Sequence, residues 1–92
     1  MISAFVLISA RPDRIAALAS ELADVAGVAE VYSVAGDVDI VAVVRVPEHE
    51  QLAEVVTGHI AGLDGIVSTR SMVAYRAYSR HDLEAMFSLG AD

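Results

Sequence analysis

The stretch AGDVDIVAVVRV, residues 35 to 46, opens a long apolar run with two carboxylates placed directly after a glycine. Gly36 lets the backbone come close to a small molecule and leaves neighbouring N–H groups available to a carboxylate, as backbone nests do. Asp39 offers an acceptor for an ammonium group. Asp37 adds a second carboxylate inside the turn, a position where Asp also serves local hydrogen bonding. Thr69 and Ser71 lie two apart in IVSTRS, so on a strand their hydroxyls share one face. An anion for an ammonium, combined with neutral donors for a carboxylate, describes a site for a zwitterionic α-amino acid. The plainer alternative is an ordinary Gly-Asp hairpin turn beside a strand that merely carries hydroxyls.

Other chemistries are poorly supplied. The chain has no cysteine, which removes disulfides, thiolate nucleophiles and cysteine-based metal sites together. It also lacks lysine, a Gly-x-Ser-x-Gly elbow and a phosphate-binding glycine loop, and Ser20, Ser33, Ser68 and Ser71 have no evident paired base. His49 and His59 are not at the three- or four-residue spacing that puts two ligands on one helix face. His81 and Glu84 do have that spacing, yet two groups make only half a site. No catalytic residue, metal site or cofactor is therefore expected.

Six arginines against thirteen acids give a formal net charge of −7 with no basic patch, which disfavours direct nucleic-acid contact. The apolar N-terminus MISAFVLISA has no positive flank and reaches Arg11-Pro12 too soon to span a bilayer. It reads as a strand, and the protein as cytoplasmic with no membrane partner.

The elements that must position the candidate residues follow from periodicity. A strand is expected over 2–9, then a helix that starts at Pro12, carries Ile15, Leu18, Ala19, Leu22, Val25 and Ala26 on one face, and ends at Gly27. Strands over 28–35 and 38–46 flank a two-residue Gly36-Asp37 turn of the type II′ kind. Pro47 ends the second of them. A helix over 48–63 puts Leu52, Val55, Val56, His59, Ile60 and Leu63 on its apolar face, a strand runs over 66–79, and a short helix over 81–88 closes the chain.

The order βαββαβ predicts one α+β domain over 1–92: a ferredoxin-like sandwich, an antiparallel four-stranded sheet with both helices on one face. Strands one and three, the most apolar, then take the centre. Strand three is apolar on both faces, with Val41 and Val43 set between Asp39 and Arg45 opposite the helix-facing residues. Helices cover only one face, so a second subunit is expected over the other, giving a homodimer with stacked sheets, a dimeric α/β barrel.

The segments VAEVYSVAGDVDIVAVVRVP and GLDGIVSTRSMVAYRAY, in that order, resemble the effector domain of the leucine-responsive/AsnC (Lrp/AsnC) transcriptional regulators, the RAM domain. There a strand runs into Gly-x-Tyr-Asp and an apolar strand, and later a Pro-Gly-Val precedes a Thr-x-Thr strand. The likeness extends from Ile2 to about Tyr78. Members of that family usually carry a helix-turn-helix ahead of this domain; here the first strand begins at Met1 or Ile2, so a stand-alone RAM domain is expected. The resemblance implies an amino-acid effector bound between dimers at Gly36 and Asp39 with Thr69 and Ser71. It also implies homodimers joined into tetramers or octamers, and action through full-length regulators of the same family. Val38 stands where the family often has tyrosine, and Asp37 adds a charge inside the turn. Two other functions share the topology: a small dimeric α/β-barrel monooxygenase or isomerase with His59 as its base, and a ligand-free assembly adaptor.

Overall fold

A computed structural model describes residues 1–80. The elements run β1 (Ile2–Ala10), a 3-10 turn (Pro12–Arg14), α1 (Ile15–Ala23), β2 (Val28–Ser33), β3 (Ile40–Val46), α2 (His49–Ala53) continuing as a π-helical stretch (Glu54–Ile60), and β4 (Ile66–Val73). The helix expected over 81–88 lies outside the described residues. The four strands form one antiparallel sheet in the order β2-β3-β1-β4, so β1 and β3 are central as their two-sided apolar pattern requires. This is the ferredoxin-like α+β sandwich.

Alternation along the central strands defines two different faces. Ala4, Val6, Ile8 and Ala10 of β1, with Ile40, Ala42, Val44 and Val46 of β3, are buried beneath the helices. Leu18 and Leu22, four apart on α1, and Leu52, Val55 and Ile60 from the second helix complete that core. Leu18 and Leu22 are fully buried, and truncating either to alanine would cost about 2–5 kcal/mol in lost transfer energy and cavity formation.

Pro12 sits at the start of the first helical turn, where its missing N–H costs nothing. The second helix begins with a reciprocal cap: the Glu48 backbone N–H donates to Gln51 Oε1 at 2.9 Å, while the Glu48 side chain accepts from the Gln51 backbone. Gly27 closes the α1–β2 connection at φ +96°, and a methyl group there would lie 2.7 Å from Val55 Cγ2. Only glycine lets this turn lie directly on the second helix.

Several boundaries differ from the sequence-based expectation: α1 ends at Ala23, ahead of Val25, Ala26 and Gly27, and β2 ends at Ser33. The β2–β3 connection is not a two-residue turn: the last cross-strand bond runs from the Val34 N–H to the Asp39 carbonyl, leaving a four-residue loop, 35–38. β4 stops at Val73 rather than continuing to 79, because its partner β1 runs out; the Ala74 N–H reaches the Ser3 carbonyl, and only Ile2 and Met1 remain beyond it. The second helix widens at Glu54. With i→i+5 hydrogen bonds such as Ala61 N–H to Val56 O, Val55 and Ile60 face the core together, and His59 turns out to an exposed position instead of joining the apolar stripe.

Candidate ligand-binding site

Asp39 is tied into the sheet by three hydrogen bonds. Its N–H donates to Ile8 O at 2.9 Å, its carbonyl accepts from Val34 N–H, and its Oδ2 accepts from the Ala10 N–H at 2.9 Å. The carboxylate thus stands where another β3 carbonyl would have continued the ladder, and the chain leaves the sheet there. Oδ1 accepts no hydrogen bond among the described residues, so one oxygen remains for a ligand donor.

Gly36 occupies the exposed tip of the hairpin at φ +149°, with nothing within 4 Å of the position a Cβ would take. Asp37 follows it, also exposed. Glycine is needed here for conformation rather than for room inside the subunit.

The strand register fixes the hydroxyls. Thr69 lies opposite Ile8 and Ser71 opposite Val6, and directly opposed residues share a face, so both project on the helix side of the sheet. As β4 is an edge, both remain exposed. Ile8 in turn pairs with Ile40, next to Asp39, so Thr69 and Asp39 stand near one end of the sheet with β1 between them. Two strand spacings separate β3 from β4, about 9–10 Å, and within one subunit the hairpin and these hydroxyls are neighbours without touching. Ser68 pairs with Ser9 on the other face at the same end.

Among the described residues, no helix covers the face of the sheet away from α1 and α2. Phe5 and Leu7 of β1, Val41 and Val43 of β3, Tyr32 of β2 and Met72 of β4 lie on it by register. Val43 is only 6% exposed, but Phe5 is 37%, Tyr32 49% and Met72 53% exposed. At the β2 edge the Tyr32 hydroxyl donates to Glu30 Oε2, and Arg45 donates to Glu30 Oε1 at 3.2 Å. These two hydrogen bonds, the tyrosine's the larger influence, hold the Glu30 carboxyl below its ordinary pKa, and the same carboxylate raises that of Tyr32.

Elsewhere, Arg14 pairs with Glu21 at 2.7 Å and with Asp64, anchoring α1 to the turn before β4, where Gly65 at φ +101° packs against the arginine stem. Among the described residues no group of three or more His, Asp or Glu side chains is placed to hold a metal ion, and no helix is long and apolar enough to cross a membrane.

A two-layer ferredoxin-like domain with a polar hairpin end and an uncovered apolar sheet face defines the structural class. The chain belongs to the Lrp/AsnC ligand-binding domain family, whose pattern it matches over residues 3–83. No curated protein matches it in sequence. Among solved structures it is similar to TTHA0845 from Thermus thermophilus, with 49% identity and a TM-score of 0.82 over 87% of this chain and 100% of that one. It is similar to the hypothetical protein PHS023 from Pyrococcus horikoshii, with 25% identity and a TM-score of 0.77 over 88% of this chain and 98% of that one. It also resembles the feast or famine regulatory protein of M. tuberculosis, solved in complex with L-methionine, at 30% identity and a TM-score of 0.68; the match covers 87% of this chain and 54% of that regulator.

Proposed function

We propose that this chain is a single, non-enzymatic regulatory domain that binds an amino-acid effector at the hairpin end of its sheet and assembles through its open sheet face. The observation that carries this reading is membership of a ligand-binding domain family across residues 3–83. The L-methionine bound by the M. tuberculosis relative supports an amino acid as the ligand class.

In this reading the free Asp39 Oδ1 takes the effector ammonium, and backbone N–H groups around Gly36 and Asp37 take its carboxylate. Thr69 and Ser71 lie across β1 from the hairpin, so a second subunit completes the pocket by bringing its hydroxyls against it. The partly exposed Phe5, Tyr32 and Met72 are covered by a stacked sheet in a homodimer, and dimers join into tetramers or octamers.

The mechanism is linkage. A ligand bound across an interface favours the assembly in which its pocket is complete, shifting populations by its differential affinity. At a hundredfold excess over Kd this is worth about 2.7 kcal/mol. With no basic patch of its own, the domain acts through full-length regulators of the family.

The test is a thermal-shift screen against the twenty amino acids, with scattering-coupled size exclusion on each hit. A saturable shift with one side-chain class and a change in assembly mass is expected. No shift with any of them would overturn the reading.

A further inference from the structure

We infer that Arg70 on β4 of one subunit closes over the partner's Tyr32 and Glu30 on β2, and that this contact decides which way round two copies stack. The inference rests on the association through the open sheet face proposed above, and it names the side chains that orient it.

Strand register arranges that face in rows across the four strands. Tyr32, Val41, Leu7 and Arg70 form one row, and Glu30, Val43, Phe5 and Met72 form the next, about 7 Å along the strands. The centre of each row is apolar, and the ends differ in kind. At the β2 end a half-exposed aromatic ring and a carboxylate are joined by the hydrogen bond from the Tyr32 hydroxyl to Glu30. At the β4 end Arg70 is exposed, and its guanidinium has no hydrogen-bond or ion-pair partner among the described residues. Arg11, Arg14 and Arg45 each have a carboxylate partner. The β4 side is cationic throughout, because residues 66–80 hold three arginines and no acid.

Two copies whose sheets pack aligned across a closed two-fold axis have two arrangements, with the axis lying between the sheets either along the strands or across them. An axis along the strands turns each row end for end onto itself. The partner's Tyr32 then lies over Arg70, and the partner's Val41 over Leu7. Closure forbids a slide along the strands, so the rows stay matched. An axis across the strands instead lays β4 over the partner's β4 and β2 over its β2, which turns Arg70 toward Arg70 and Glu30 toward Glu30.

Chemistry separates the two. A guanidinium over an aromatic face is attracted by the ring quadrupole. Glu30 accepts one hydrogen bond at each oxygen, from Arg45 and from Tyr32, and a carboxylate offers about four acceptor sites, so it has room for Arg70 as well. The like-over-like stack leaves Arg70 unmatched and adds repulsion. The face therefore takes a second copy with the axis along its strands.

The full chain contains no cysteine, which makes the orientation directly measurable. Arg70→Cys mixed with Tyr32→Cys and treated with a short bismaleimide is expected to give the mixed 70–32 dimer ahead of either like pair. In analytical ultracentrifugation, dimer affinity is expected to fall about tenfold in Arg70→Ala and in Tyr32→Leu, with the double variant losing no more than either single one. Tyr32→Phe keeps the ring and is expected to keep the affinity. A 70–70 linkage as the main product, or an equal or tighter dimer in Arg70→Ala, would overturn the inference while leaving the face as the interface. A dimer that Phe5→Glu leaves intact would show that subunits meet elsewhere, and would sink the proposed assembly together with this contact.

Discussion

Asp39 Oδ2 accepts the Ala10 backbone N–H at 2.9 Å, so the carboxylate proposed to meet the effector also closes the end of the central strand pair. The two roles use different oxygens and can be separated. In Asp39→Ala the Ala10 N–H loses its partner in a half-buried place, and the fold should lose about 1–3 kcal/mol. Asp39→Asn keeps an amide oxygen for Ala10 and removes the charge. Its urea midpoint should stay nearer that of the parent while amino-acid affinity falls about tenfold or more. Calorimetric titration of both variants checks this, and full affinity in Asp39→Asn would exclude the ammonium contact.

Gly27→Ala tests the packing of the α1–β2 turn. The added methyl meets Val55 Cγ2 at 2.7 Å, and φ of +96° is itself unfavourable for any side chain. Steric strain and backbone strain act together, so a loss of about 2–4 kcal/mol is expected in chemical denaturation. Gly36→Ala, with open space around its Cβ position, should bear only the conformational part, about 1 kcal/mol.

How much of this was legible in the sequence depended on the range of the interactions. Alternation along β1 and β3 and the 3.6-residue stripe of α1 are local signals, and they predicted the strand order and the two-faced centre. The hairpin length was hidden because a side chain decides it: Asp39 reaches a backbone donor twenty-nine positions away. His59 was assigned to an apolar stripe because an α-helical period was assumed, and the widening after Ala53 shifts the pattern by one residue per turn. Thr69 and Ser71 share a face as the spacing required. Which face they share depends on pairing with Ile8 and Val6, and no local signal reports a register.

The open face predicts its own disruption. Phe5→Glu puts a charge opposite Val43 at the middle of the uncovered surface, while the helix-side core is untouched. Scattering-coupled size exclusion should show monomers for this variant and larger species for the parent. An unchanged mass would mean that subunits meet elsewhere.

The Glu30–Tyr32–Arg45 cluster gives a pH dependence with a definite sign. Glu30 titrates below its ordinary value of 4.5 in the folded protein, so its contribution to stability is present above that value and is lost as pH falls through the lowered folded pKa. Tyr32 titrates above 10.0, so its contribution is present below that value and is lost as pH rises through the raised folded pKa. Both groups are solvent-exposed, and the effect on global stability is correspondingly small. The sharper readout is site-specific. In Tyr32→Phe the largest single influence on Glu30 disappears, and its carboxyl resonance should titrate closer to 4.5; Arg45→Gln, which removes a hydrogen bond and a charge, should move it in the same direction.

Gly58→Ala probes the helix that separates the two ends of the molecule. Gly58 lies in the π-helical stretch with negative φ, and a methyl group there would meet nothing within 4 Å. Alanine restricts the unfolded chain more than glycine does without straining the folded one, so a gain of about 0.4–1 kcal/mol is expected. Urea denaturation of Gly58→Ala beside the parent checks this, and a lowered midpoint would mean that the widened turn does not accept the methyl.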